Sequence, residues 1–542
     1  MKTKVFKILL IICATVLYQS CTNLDEKIYS SIVSEQYEPT EKDLISIIAP
    51  SYTTMRDVLF AWHGYYDLQS ECSDEIVTPA RPNGWEDGGV YRNLHEHNWN
   101  SEQSHLYGAW NNNYTGVNYA NRSIYQIESG TLTITDEVVK NNILAELRAM
   151  RALYYYNLLD NFRNVAFIDR YDVPEDFLPE QIDAKKLFQF IEEELKEVIP
   201  SLSDVVDQST YGRMTKYAAQ FLLARLYLNA EVYINEAKWK ECSEICDYII
   251  ESKKYALDPN YRDIFKTENQ NSTEIVFAIP FDEKYGGWFH FHMKTLHPAN
   301  MRTYNLQGGE PWGGSCAIPQ FIDTYDKDDE RLPATWIMGQ QYDSSGEPLY
   351  CTLDEKRADD LLIFTNTCPG VDKTSETDGY RVGKFEIKMG ALGSLSNDFP
   401  LFRYADVLLM KSESELRQGN ASLAASLVSE VRNRAFKNNP DKAIVTAEEL
   451  MKGSSYNYGH IVDGKMVEEQ GGTDIKFGRM LDELGWEFAA EGHRRMDLVR
   501  FGVFTTKKWL SKNRVNQAYR NYFPILEQAL TKNTNLKQND GY

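Results

Sequence analysis

The sequence predicts a mainly α protein, a tetratricopeptide-like helical-repeat scaffold carrying a loop-rich insert with short strands. Three observations lead there. Apolar residues recur with a 3.6-residue period in segments at both ends of the chain, and the recurring face is rich in alanine, which lets helices approach closely. These segments come in pairs separated by short polar breaks. Between about residues 255 and 399 the period disappears, and glycine pairs and polar turns replace it.

Taken in order, the chain begins with three lysines, an apolar run over residues 8–18 and then Cys21 at the edge of an acidic segment. The run is too short to span a hydrocarbon core, which needs about 20 residues, but it suits a secretory signal. A signal that ends on cysteine resembles a bacterial lipoprotein signal, which implies cleavage after residue 20 and acylation of the Cys21 thiol. A plain secretory signal with an incidental cysteine is the alternative, and the bulky Tyr18 is the feature that favours it. Residues 21–40 then read as a lipidated tether, and Leu24, Asp25, Glu26 and Lys27 resemble the acidic tags of surface-exposed lipoproteins.

The scaffold is expected over about 41–254 and 400–542. Trp110, Tyr114, Val117 and Asn121 share one helical face; Ala145, Ala149, Ala152, Tyr156 and Leu159 share another. Ala219, Leu222, Leu223, Leu226 and Ala230 form a third stripe, and residues 237–252 follow it as the second arm of a helix–turn–helix pair. Ala405, Leu408, Leu409, Ser412 and Leu416 open a last pair, which Gly419 and Asn420 break before a helix running to Ala435. Such pairs resemble degenerate tetratricopeptide units without the full 34-residue consensus. In the insert, residues 274–280 read as a strand.

The formal charge of −21 becomes −24 once Lys2, Lys4 and Lys7 leave with the signal, so nucleic acid and anionic lipid are not expected as partners. Six cysteines would remain besides Cys21, scattered too widely to demand disulfides, and Cys242 with Cys246 suit a helix core.

Four blocks stand out: Arg151 and Ala152 with Tyr154, Tyr155 and Tyr156; residues 399–420, with the core RYADVLLM; residues 481–502, LDELGWEFAAEGHRRMDLVRFG; and the C-terminal YFPILEQALTKNTNLKQNDGY. Together they resemble the SusD/RagB family of surface glycan-binding lipoproteins. The turn FRNVAF departs from the family's usual FG-x-P. The resemblance implies one domain over 41–542, no catalysis, an outer-membrane location facing the cell exterior, attachment to the membrane through the lipid alone, and a TonB-dependent, SusC-like transporter as partner. Glu487, Glu491, Arg494, Arg495, Asp497 and Arg500 crowd one helix end, where ion pairing is the expectation rather than a catalytic carboxylate pair.

A glycan presents an apolar C–H face and a rim of hydroxyls, so its site needs flat rings and rim-binding polar groups. The loop-like stretch 71–99 offers Asp74, Arg81, Asn83, Trp85 and Trp99, and the insert offers Trp288, Tyr304 and Trp312 among glycines. For Trp85 and Trp99, plugging the loop against the helices is an equal alternative. Trp62, Trp110, Trp239 and Trp486 are expected in the core. No cofactor is expected. His95 with His97 and His290 with His292 have strand spacing that could aim two rings at zinc, with no third ligand nearby; Asp326, Asp328, Asp329 and Glu330 leave room for structural calcium but lack the EF-hand pattern. The readings that compete with glycan capture are peptide binding within the same family and an all-helical glycoside hydrolase.

Overall fold

A computed structural model describes residues 41–542, with side chains from residue 44 onward. The signal, Cys21 and the tether lie outside the described residues. Helices α1 (Glu41–Phe60), α2 (Ser104–Glu128), α3 (Glu137–Phe162), α4 (Ala184–Val198), α5 (Lys216–Leu228), α6 (Trp239–Glu251), α7 (Tyr404–Arg417) and α8 (Ala421–Arg432) form a row in which each packs on the next. Their starts follow from capping. Asp136 accepts from the backbone N–H of Val138 and Val139, Asp183 from that of Lys186, and Thr215 from that of Ala218.

The alanine stripes lie in the seams, with Ala149, Ala152 and Ala219 fully buried. One seam is closer still. A Cβ on Gly116 of α2 would fall 2.1 Å from the Tyr154 ring of α3, so only glycine fits there. Tyr154, Tyr155 and Tyr156 are all buried. The second half of α3 is therefore enclosed on every side, where periodicity alone predicts one buried stripe.

The insert is stitched to the scaffold by short antiparallel pairs. Of the strands β1 (Ile76–Val77), β2 (Ile275–Ile279), β3 (Cys316–Ala317) and β4 (Phe399–Arg403), β1 pairs with β3 and β2 with β4. One apolar core runs across both parts: Phe60, at the end of α1, touches Phe281 and Phe289 of the insert at 5.6 and 4.6 Å between centroids. Cys72, Cys242, Cys246, Cys316, Cys351 and Cys368 are buried free thiols.

Two later helices, α9 (Gly478–Phe488) and α10 (Arg494–Arg500), carry the charged block into the interior. Glu487 meets Arg403 at 2.7 Å, Arg331 at 3.0 Å and Arg434 at 2.5 Å; Glu491 meets Arg403 at 2.7 Å and Lys384 at 2.5 Å. Arg495 holds Asp160 of α3, and Arg500 holds Glu413 of α7 as well as Asp497. Burial alone would raise the Glu487 carboxyl, but the guanidinium groups of Arg434, Arg403 and Arg331 outweigh it and hold the group well below the usual carboxylate range. The block bolts distant helices together, and both Glu487 and Glu491 are consumed by it.

Candidate functional site

Helix α1 ends at Phe60, and His63 (φ 59°) turns the chain away before Gly64. This turn throws Trp62 onto the surface of the insert. There it stacks on Trp288, with centroids 5.8 Å apart and planes at 28°, and meets Trp312 edge-on at 5.3 Å. His290 fills the space between the indoles, 4.3 Å from Trp288 and 5.7 Å from Trp312. Burial pushes its imidazole down to about 4, so it is neutral at ordinary pH. Trp288 is 42% exposed, an unusual place for a large ring that has protein to pack against.

Trp312 and Trp85 wall a hollow of about 900 Å³ beside this cluster, together with Trp62, Asn83, Arg302 and Tyr350. Trp85 stands on Tyr91, 5.8 Å away, and Tyr91 stands on the Lys294 ammonium at 4.3 Å. Lys294 is buried and tied to Asp67 at 2.6 Å and Glu71 at 2.7 Å, which makes a stiff base for the rings above it. A Cβ on Gly314 would lie 2.2 Å from the Trp85 ring. This glycine makes room for a ring of the protein itself. The Asn83 side-chain oxygen accepts from the backbone N–H of Trp85 at 3.2 Å, a local turn in which Asn83 itself is exposed.

Of the residues expected at the site, Asn83, Trp85 and Trp312 line the hollow, and Trp288 joins its edge through Trp62 and Trp312. Four expectations are corrected. Asp74 is fully buried and ion-paired to Arg494 at 2.6 Å, with the Tyr458 hydroxyl donating to it at 2.8 Å. Arg81 is buried and donates to the carbonyls of Gly314, Ser375 and Asp378, so it fastens the loop. Trp99 is 1% exposed, and its indole N–H donates to the Tyr542 hydroxyl at 2.9 Å, tying this loop to the C-terminus. Tyr304 packs partly against the core and lies outside the hollow, although Met301 and Arg302 of the same helical turn line it.

Trp62 is the residue that sequence reasoning misplaced. It was grouped with helical stripes, whereas the His63–Gly64 break places it past the helix end. Trp110 and Trp486 are buried as expected, and Trp239 is partly buried. His95 and His97 lie at the end of a short helix and beyond it, not on a strand, and both are buried. His290 and His292 straddle a helix start, again not a strand. Asp326 and Asp328 both hold the Lys442 ammonium, at 2.7 and 2.8 Å, and Asp329 holds Arg331. Among the described residues no group of three His, Cys, Asp or Glu side chains is placed to bind a metal.

A larger hollow, of about 1200 Å³, lies between α1 and the loops near residues 134 and 203. Its walls mix aliphatic residues such as Leu44, Ile48 and Val138 with polar ones such as Arg56, Asp136 and Lys216, and its two tyrosines spend their hydroxyls on Glu146 and Asp398. It offers no free ring face comparable to Trp288.

Comparison with known proteins is consistent along the whole chain. The SusD family model matches residues 273–542, and a model described as starch-binding, associating with the outer membrane, matches residues 22–228. The starch-binding protein SusD of Bacteroides thetaiotaomicron is 29% identical over 73% of this chain and 72% of its own. SusD-like protein P25 of Formosa agariphila is 24% identical over 95% of this chain and 94% of its own. Among solved structures, a laminarin-binding SusD-like protein matches with a TM-score of 0.69 at 20% identity, covering 93% of this chain and 100% of that one. Surface glycan-binding protein A of Bacteroides thetaiotaomicron, solved with laminarihexaose, gives 0.69 at 19% identity over 92% and 100%. With both halves matched by family models and the helical scaffold shared, the chain belongs to the SusD family.

Proposed function

We propose that this protein is a non-catalytic, lipid-anchored glycan-binding protein of the outer membrane that captures oligo- or polysaccharide outside the cell and passes it to a TonB-dependent, SusC-like transporter. The observation that carries this reading is the platform of Trp62, Trp288 and Trp312 beside the Trp85 hollow. Three indoles packed on one another beside the braced Trp85 offer apolar surface to a sugar's C–H face, and Asn83, Arg302 and Thr352 stand at the rim for its hydroxyls. The relatives named for starch and laminarin binding support the ligand class. The family model described as associating with the outer membrane supports the location. Among the described residues no helix is long and apolar enough to cross a membrane.

Support for a binding role without turnover comes from the acids. Glycoside hydrolysis needs two carboxyl groups about 5 to 9.5 Å apart across the bond, and among the described residues Glu310 is the one carboxylate that lines this hollow. Affinity electrophoresis of the soluble form beginning at Thr22, through gels containing plant, microbial and host polysaccharides, tests the reading. Retardation by a polysaccharide, lost in Trp288→Ala or Trp85→Ala, is the expected result. Release of reducing ends would point to an enzyme, and binding of peptides with no retardation by any polysaccharide would point to a peptide carrier. Extraction from the membrane without a co-purifying barrel would remove the transporter from the proposal.

A further inference from the structure

A second hollow, of about 640 Å³, lies on the other side of one wall of the first. Pro82 and Asp354 face the second hollow, while their chain neighbours Asn83, Trp85, Thr352 and Leu353 face the first. From Pro82 to Trp85 even a fully extended chain covers only about 14 Å, so the hollows are close neighbours. The wall is fixed in place. One oxygen of the Glu376 carboxylate accepts from the backbone N–H of Thr352 at 2.7 Å and of Leu353 at 3.0 Å; the other accepts from that of Asp354 at 3.1 Å. The His297 ring holds the same carboxylate at 2.9 Å from beneath.

The lining of the second hollow differs in kind. It contains no indole or phenol ring, and its polar groups come from four separate segments: Glu96, the 354–378 loops, the hairpin that joins Gly459–Val462 to Lys465–Glu469, and Ser511. Some of these groups are spent. Asp372 pairs with Arg92 at 2.7 Å, and Arg357 with Asp360 at 2.8 Å. Lys373 and Asp463 are exposed and His460 is half-buried, and their side chains stand at the lining with hydrogen-bonding capacity to spare. Carboxylates outnumber cationic side chains around it, with Glu96, Asp354, Asp372, Asp378 and Asp463 against Arg357 and Lys373. Burial, and to a lesser extent the nearby Asp372, raise the Glu96 carboxyl against the opposing pull of Arg92 and Arg514.

We propose that this second hollow is a subsite for the continuation of the glycan held on the indole platform, binding by hydrogen bonds instead of stacking, and that its carboxylates limit the ligand to uncharged or amino-bearing sugars. The inference rests on the glycan-binding reading above. Division of labour follows from the two linings: the platform supplies apolar contact to any sugar face, and the acidic hollow rejects uronates and sulfated sugars by like charge.

The test is calorimetric titration with the trisaccharide and octasaccharide fragments of starch and laminarin, and with the same fragments carrying carboxylates introduced by oxidation at C6. The double variant His460→Ala/Asp463→Ala is expected to weaken octasaccharide binding about tenfold, or roughly 1.4 kcal/mol, and to leave trisaccharide binding unchanged. Trp288→Ala should weaken both lengths. In Glu96→Gln/Asp463→Asn, which removes two negative charges from surface positions, the preference for the uncharged over the oxidised octasaccharide should shrink at low salt. Equal affinity of the wild type for both lengths, or an octasaccharide affinity untouched by the double variant, would overturn the subsite while leaving the platform in place. A wild type that binds no polysaccharide or fragment overturns the glycan reading itself, and the subsite with it.

Discussion

The helix end at Glu487 and the platform at Trp288 treat their costly groups in opposite ways. Around Glu487 every charge is taken out of water and paired, with Arg331, Arg403 and Arg434 converging on one carboxylate that has no exposure at all. Around Trp288 a large apolar ring is left 42% exposed although apolar neighbours stand within reach. Desolvated charges are expensive, and their mutual attraction repays that cost only when geometry is fixed on all sides. The first region therefore depends on α9, α7, β4 and the insert being docked together. The platform asks for the reverse: its rings are useful only while they lack a partner. One region uses specific contacts to hold the fold, and the other withholds contacts so that a ligand can make them.

That contrast can be broken at either end. Glu487→Gln removes the charge on which three buried guanidinium groups converge, although Arg331 keeps Asp329, Arg403 keeps Glu491 and Arg434 keeps Glu274, so it is expected to cost about 3 kcal/mol in urea unfolding with ligand contacts untouched. Glu483, held down to about 2 because Arg432, Arg331 and Arg479 outweigh the effect of burial, sharpens the same point through pH. Its folded pKa lies below the unfolded value of 4.5, so its contribution is full above about pH 4.5 and is lost as pH falls toward 2. The stability difference between wild type and Glu483→Gln should accordingly close over that window, and a gap that stays constant would refute the pairing. Trp288→Ala is expected to reduce polysaccharide affinity by about tenfold to thirtyfold, or roughly 1.4 to 2 kcal/mol, with the urea midpoint unchanged. A fall in stability as large as the fall in affinity would make the ring a packing residue. The smallest effect is expected for Trp99→Phe, which loses the hydrogen bond to Tyr542 for about 1 kcal/mol of stability and no change in binding.

The stretch 71–99 shows how far a sequence can be read. It was expected to be a ligand loop, and its residues divide between two destinations. Asn83 and Trp85 reach the hollow, whereas Asp74, Arg81 and Trp99 turn inward. Nothing local separates them, because the partners that claim the inward group are remote: Arg494 for Asp74, the carbonyl of Gly314 for Arg81, and Tyr542 for Trp99. Trp62 shows the opposite error. A helical stripe ran up to it, and only the left-handed His63 and the following glycine signalled that the stripe had ended.

The sequence by itself determined the helical row, the place and character of the insert, the strand at 275–279, the family, and the ion-pairing role of Glu487 and Glu491. These rest on periodicity, capping and short-range spacing, which act within a few residues and so are written locally. Tertiary structure alone decided which aromatic rings face water, that Trp62 joins Trp288 and Trp312, and that residues 82–85 and 352–354 wall two neighbouring hollows. Exposure is a property of what packs against a side chain, and here the packing elements lie more than 200 residues away in sequence. A tryptophan carries the same apolar surface in either setting; the fold decides whether protein or ligand covers it.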